Sequence, residues 1–530
     1  MTDLLAILPV LLPVALAAAT AAAWTRPDVQ KGITLAGTAA LLAVSIWLVW
    51  TVSTQGPVAT QPGAWPAPFG ITIFADRLSA AMVLVAAILA MATVVFARAG
   101  LPATAVAGGF HPLFHGLMLG VNGAFLTGDV FNLYVWFEVM LVCAVGLLML
   151  RRTRAELDGA FKYIALNLFG TILFLIAVGL LYGVTGTLNM ADLARVLPQT
   201  ESSPALVAAT LLFLLAFGIK AGAFPLFFWL PVSYHTALIA VSAIFAGLLT
   251  KVGVYAAIRV FTLLFEVEGG ALADVVAWAA AATMVAGVVG AVAQWDIRRI
   301  LAFHIVSQIG YMMMGLAIAT PVAIAAAVFY VVHHIIVKAN LFFLAGAIER
   351  AGGSYDLRES GGLMKSHPGL AVLFLIPALS LAGLPPFSGF WAKLLIIDAS
   401  FKGEEMWLGA VALVVGLLTL LSMAKIWLGA FWKPAPEGRT PAPVPGAMLA
   451  PIAGLGALTV AIGLLAQPLV TYSQQAAAEL TDRDRYVRLV LGPAADAPTQ
   501  LADEAADDRL AAQPFVNGAA SAAPQPEESR

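Results

Sequence analysis

Residues 236–262 read TALIAVSAIFAGLLTKVGVYAAIRVFT, an apolar run of 27 residues with Lys251 near its middle. A helix needs about 20 apolar residues to cross a bilayer. This run has the length, and Lys251 is too central to snorkel to an interface. A charge near mid-bilayer costs roughly 2.5–3.5 kcal/mol on insertion scales, so it needs a reason to be there. The whole chain has this character. Of its 530 residues, 61% are hydrophobic and only 11% charged, where a soluble protein carries roughly 25% charge. Mean hydropathy is +0.92. There is too little polar surface to cover a soluble globule. A backbone in lipid must form helices or a closed barrel. Barrels alternate polarity over segments of about 10 residues; these runs are of helical-span length. The expected fold is all-α, a polytopic membrane protein.

About 14 spans meet the length criterion. They lie near 3–23, 31–53, 75–97, 111–129, 130–150, 160–183, 205–224, 236–262, 272–294, 301–318, 322–346, 368–400, 406–431 and 446–470. Gly128–Asp129 favours a tight turn over one re-entrant run through 111–150. The start, MTDLLAILPV, has no basic n-region, so it reads as a retained first span. Connections after odd-numbered spans carry Arg26 and Lys31, Arg98, Arg151, Arg152 and Arg154, Arg298 and Arg299, Arg350, Arg358 and Lys365, and Lys433 and Arg439. Those after even-numbered spans carry little beyond Arg195 and Lys402. By the positive-inside rule both termini face outward from a cytoplasmic membrane. From about Ala476 the chain turns rich in Ala, Pro, Asp and Glu and reads as a disordered acidic tail, 476–530.

Two spans look broken. One holds Lys220-Ala221-Gly222-Ala223-Phe224-Pro225, the other Leu381-Ala382-Gly383-Leu384-Pro385-Pro386-Phe387-Ser388-Gly389. In each, Ala-Gly is followed by a proline three residues after the glycine. Proline removes a helix hydrogen bond and clashes with the preceding turn. Paired interrupted helices in two halves of a chain point to a transporter's site and to inverted repeats.

Several ionisable residues lie at span depth. Glu138 sits among Tyr134-Val135-Trp136-Phe137 and Val139-Met140. Burial and a lysine partner would pull such a carboxylate in opposite directions, which suits proton exchange. Lys220 abuts the first break, and Lys251 lies in the next span. Lys393 follows the second break, and Lys425 lies in the span after it. The spacings within these two pairs are 31 and 32 residues. His334 and Lys338 share a helix face; His333 points elsewhere. Buried lysine and histidine can act as proton carriers. Five lysines and one acid cannot all be charged at once without large repulsion. Such chains of titratable groups mark proton relays.

Other classes find no support. A net charge of −2 argues against nucleic acid as a partner. Cys143 is the one cysteine, so no internal disulfide is available. No P-loop, dinucleotide fingerprint, metal-ligand spacing or hydrolase triad is present. No cofactor or metal is expected, and the chain does not read as an enzyme.

Four stretches resemble the proton-translocating transmembrane family of complex I antiporter-like subunits, membrane-bound hydrogenases and Mrp multisubunit cation/proton antiporters. They are Phe131–Glu138, Lys220–Thr236, Asp296–His304 and Gly383–Phe390. Residues Ala64–Thr72, before the third span, resemble the Mrp D-type subunit. The resemblance implies two inverted five-helix repeats, placed at 111–262 and 272–431. Around them come N-terminal helices at 1–110 and a C-terminal helix at 446–470. It implies a key acid at Glu138, lysines at Lys220, Lys251 and Lys393, and a relay through His334 and Lys338. The expected function is proton conduction in a Na⁺/H⁺ antiporter, with other antiporter subunits as partners and a monovalent cation, Na⁺ foremost, as the counter-ion. The alternative is a pumping subunit of complex I or a membrane-bound hydrogenase.

Overall fold

The computed structural model describes residues 2–65, 69–265, 267–403, 405–438 and 440–492. Part of the Ala64–Thr72 stretch, Arg439 and the tail beyond 492 lie outside the described residues. Among the described residues twelve helices are long and apolar enough to cross a membrane. Two other expected spans differ in form. Phe110–Leu126 is a helix of 17 residues. The stretch 368–400 divides into Pro368–Ala382 and Ser388–Lys402. The turn at Gly128–Asp129 separates Phe110–Leu126 from Val130–Leu148, and the Asp129 side chain caps the second helix by accepting from the Asn132 N–H.

The organising element is the helix Pro321–Gly352, 32 residues with most of its length buried. Thr320 caps its start, Pro321 takes a position where no donor is needed, and Gly353 ends it in the left-handed region. At 1.5 Å per residue it is about 48 Å long, more than the hydrocarbon core requires. A helix apolar on all sides belongs in the interior, and Ile239–Leu263, Ile297–Ile318 and Ala466–Thr481 pack around this one.

Both breaks are built alike. Gly222 (φ +79°) and Gly383 (φ +94°) end their helices in the left-handed conformation that glycine adopts freely. The Gly222 N–H donates to Ile219 O at 3.1 Å and Ala223 N–H to Gly218 O at 2.8 Å. Gly383 N–H donates to Ser380 O at 3.0 Å and Leu384 N–H to Leu379 O at 3.1 Å. This is the Schellman termination, which recovers carbonyls a helix end leaves free. The first break re-forms as the short helix Trp229–Ser233 before Ile239–Leu263; the second resumes at Ser388.

The connections sort onto two faces. Ile73 bridges Thr127 and Asp129 bridges Asn189; Tyr486 packs on Phe74 at 4.5 Å and Arg483 reaches Leu263 O at 2.9 Å. The connections so joined are poor in basic residues, while the helix Arg483–Leu491 that meets them carries Arg483, Arg485 and Arg488. On the other face Asp296 bridges Asp356, and Gly362 N–H donates to Lys433 O at 2.6 Å. These join the basic connections.

The expectation of a disordered tail from 476 is corrected for its first part. Helix Ala466–Thr481 continues the last span past a kink at Leu465, and Arg483–Leu491 follows it. Ala476, Ala477, Leu480 and Tyr486 are all buried. The Ala-rich stretch reads as solvated because small residues carry little hydropathy, yet they let this helix pack closely against Pro321–Gly352.

Candidate functional site

His334 and Lys338 lie one turn apart on the central helix, both fully buried. Neither ring nitrogen of His334 nor Lys338 Nζ has a hydrogen-bond partner among the described residues. Ile239–Leu263 packs against this helix where Gly247 faces the Ile335 carbonyl. That contact brings Lys251, one turn on, within electrostatic reach of His334 and Lys338. Lys251 Nζ donates to Ala246 O at 2.6 Å and to Thr250 Oγ1 at 3.1 Å, and among the described residues no carboxylate pairs with it.

Lys220 occupies the last turn before the first break. Gly253 lies on the backbone of Lys220 and Ala221, so the Lys220 and Lys251 helices touch without an intervening side chain. Groups freed by the break find partners: Trp229 Nε1 donates to Ile219 O at 3.0 Å, and Phe224 N–H donates to Thr283 Oγ1 at 2.9 Å. Lys220 Nζ stands 5.6 Å from the centre of the Phe137 ring. Glu138 is within electrostatic reach of it, but no ion pair is formed. Glu138 Oε1 is buried without a partner among the described residues, on a helix whose Val142 is 67% exposed. The acid therefore stands between the lysine inside and an uncovered helix face.

In the second half Lys393 Nζ donates to Ala382 O at 3.1 Å, a carbonyl of the helix end at the break. A helix C-terminus carries partial negative charge and suits a cation. Lys393 Nζ also stands 5.0 Å from the Tyr311 ring centre. His333 turns away from His334, as the sequence implies, and its Nδ1 lies 2.8 Å from Ser388 Oγ. It thereby ties the central helix to the second break.

Sequence reasoning missed His304 as a site residue. It is fully buried, its Nε2 lies 2.9 Å from Ser422 Oγ, and its Nδ1 is unpartnered. It lies within electrostatic reach of both Lys338 and Lys393. The signal was in the sequence: His304, Gln308 and Tyr311 follow at helical spacing on one face. Tyr330 OH donates to Gln308 Oε1 at 2.5 Å, and Gln308 Nε2 is left unpaired.

Lys425 departs from the depth within its span that the sequence implies. It lies in the last turn of Met406–Trp427 and donates to Val292 O at 2.9 Å and Gln294 O at 2.5 Å. Those carbonyls end the helix Ala271–Ala293, on the basic face. The span runs on through the turn Leu428–Trp432, yet the side chain reaches the interface, as long cationic side chains do.

The side chains brought together run Glu138, Lys220, Lys251, His334 with Lys338, His304, then Lys393. Buried polar atoms without protein partners call for water where space and partners allow, and water would join these groups by hydrogen bonds. Among the described residues no three His, Cys, Asp or Glu side chains converge to hold a metal ion.

Fold and site together define a class: helical membrane proteins with a file of titratable groups at membrane depth, as pumps and transporters have. The chain belongs to the NADH:quinone oxidoreductase/Mrp antiporter transmembrane family, which it matches over residues 127–421. It is 44% identical to the D-type Na⁺/H⁺ antiporter subunit of Alkalihalophilus pseudofirmus, over 92% of this chain and 99% of that one. The D-type Na⁺/H⁺ antiporter subunit of Bacillus subtilis is 37% identical over the same shares. Among solved structures, a chain of the Mrp complex from Dietzia sp. DQ12-45-1b matches with TM-score 0.85 and 35% identity, covering 93% of this chain and 99% of that one.

Proposed function

We propose that this chain is the D-type, proton-conducting subunit of a multisubunit Na⁺/H⁺ antiporter in a bacterial cytoplasmic membrane. The observation that carries the reading is the buried file from Lys220 to Lys393, in which His334 and Lys338 have no hydrogen-bond partner among the described residues. A structural ion network would pair its charges. This file holds cations beside cations with one acid at its end. Such an arrangement is electrically tenable when protonation alternates along it, and alternation moves a proton. Glu138 and Lys220 are the first step, since a change of charge on either is felt by the other across a gap that no ion pair closes. Lys251, His334, Lys338 and Lys393 continue the file, and His333 positions the second break. Lys425 holds a helix end on the basic face.

The two Schellman breaks, each flanked by a buried lysine, support reading 111–262 and 272–431 as two inverted repeats. The sorted connections support placing the basic face in the cytoplasm and the chain termini outside. Protons would move inward through the file, with cation export coupled through the other antiporter subunits.

Everted membrane vesicles containing the whole complex test this. Adding Na⁺ to vesicles with an established proton gradient should dissipate it, and NADH should elicit no proton movement that depends on this chain. A chain-dependent response to NADH, with none to Na⁺, would assign the chain to a redox pump instead.

A further inference from the structure

We infer that His111, Thr34 and His115 form a second proton-relay site, in the first helices and separate from the file. His111 and His115 lie one turn apart on Phe110–Leu126, so their rings share a face. Thr34, on Pro27–Gln55, stands between them. Its Oγ1 is 2.9 Å from His111 Nδ1 and 3.2 Å from His115 Nε2. His111 is 3% exposed, His115 1% and Thr34 0%.

The hydroxyl decides the chemistry. It has one hydrogen and two lone pairs, so it donates to one ring and accepts from the other. Two hydrogen patterns satisfy the triad, and passing from one to the other carries a proton through it. Take both rings neutral with hydrogen on Nδ1. A proton arriving at His111 Nε2 makes that ring cationic. The Nδ1 proton passes to Thr34 Oγ1 as the threonine hydrogen passes to His115 Nε2. His115 then releases its Nδ1 proton to a water molecule, since no protein group is bonded to that nitrogen among the described residues. One proton has entered and one has left; both rings end neutral with hydrogen on Nε2. His111 Nε2 is available to take that proton, because it has no hydrogen-bond partner among the described residues.

A packing stitch does not need this arrangement. The same helices carry ordinary stitches nearby. Asn122 Nδ2 donates to Pro9 O at 2.9 Å, a carbonyl that Pro13 cannot satisfy, and Gln30 Nε2 donates to Thr20 O at 3.0 Å. One polar side chain suffices at each. Here a single hydroxyl serves two imidazoles.

The charged surroundings place the site near the basic face. Lys31 and Asp28, ion-paired at 3.0 Å, precede Thr34 on its own helix, and Lys31 lies within electrostatic reach of His111. Residues 4–22 and 78–97 of the neighbouring helices carry no ionisable side chain. The helix holding Tyr134, Glu138 and Cys143 packs on the opposite side of Phe110–Leu126, where Gly116 meets Cys143 and Gly120 meets Met140. The helix with Lys251, Tyr255 and Arg259 meets the far end, where Tyr255 OH donates to Phe125 O at 2.6 Å. The body of Phe110–Leu126 therefore separates the triad from the file.

The test uses the whole complex in proteoliposomes, with wild-type Na⁺-driven proton movement as reference. Thr34→Val keeps the shape and removes the hydroxyl. It should slow proton movement by roughly tenfold and change the pH profile, with the apparent Na⁺ affinity unchanged, and Thr34→Ser should restore both. An assembled Thr34→Val complex with the wild-type rate and pH profile would overturn the relay. So would failure of Thr34→Val to assemble while Thr34→Ser is normal, since the hydroxyl would then be structural. A second measurement stands apart from transport. Imidazole ¹⁵N spectra of the full-length protein, taken from about pH 5 to about pH 9, should show His115 changing tautomer population when His111 is replaced by Gln. Fixed tautomers throughout would overturn the relay whether or not the antiporter reading stands.

Discussion

Lys251 and Arg259 lie two turns apart on one helix, both buried, and the protein treats them in opposite ways. Arg259 is paired with Asp76 at 2.6 Å and bonded to Tyr255 OH at 3.4 Å. Asp76 also caps the helix Arg77–Ala97 through the Ser79 N–H. Around this pair, Arg77 meets Glu479, and Tyr472 OH donates to Arg77 O at 2.8 Å. Every charge there has a partner, and the cluster pins the C-terminal helices to the rest. Lys251 has a backbone carbonyl, a threonine hydroxyl and the company of Lys338. A buried ion pair with full hydrogen bonding fixes geometry. A buried cation among other cations holds its place at a cost to stability, and its use lies in exchanging a proton.

The largest effect that would break this contrast is at Lys251. Lys251→Ala should lower proton movement by the complex by roughly a hundredfold or more. Its thermal unfolding midpoint should hold or rise, because no opposite charge is stranded and a repulsion with Lys338 is removed. A marked fall in the midpoint, with transport per assembled complex intact, would make Lys251 structural.

Asp76→Ala is the reciprocal case. It strands Arg259 in the interior, which costs about 3–5 kcal/mol. The amount of folded chain in the membrane should drop, while transport per assembled complex stays near normal. Quantifying assembled protein beside transport separates the two cases.

A smaller and pH-dependent effect is expected at Asp129, in the connection before the Glu138 helix. Burial pushes its carboxyl up to about 6 from 3.8, against the Asn132 and Phe131 backbone N–H groups. The folded state thus binds a proton that the unfolded state has lost. Stability from this group therefore falls as pH rises from about 4 to about 6 and is level above that. Asp129→Asn should flatten that slope, and unfolding midpoints measured across the window would show it.

Much of this was legible in the sequence. Span positions follow from hydropathy because lipid imposes one length on every crossing. The breaks follow from Gly222 with Pro225 and Gly383 with Pro386, since the local backbone rule needs no distant partner. Glu138, Lys220 and Lys251 stand out because charge at span depth is costly wherever it occurs. Pairings between distant elements were not legible. Nothing near Arg259 in the chain announces Asp76, and nothing near His111 announces Thr34. His304 lay within a recognised motif, but its part depends on which neighbours its helix face meets. Lys425 misled for the opposite reason: it lies at span depth by residue count, while its long side chain reaches the carbonyls at a helix end.

The central claim is that the unpaired file conducts protons, and Glu138 tests it most directly, as the file's one acid. Glu138→Gln keeps the shape and much of the hydrogen bonding and removes only the titration. In the reconstituted complex, Na⁺-driven proton movement should fall to background with normal assembly. Transport at the wild-type rate and with the wild-type pH profile would contradict the account.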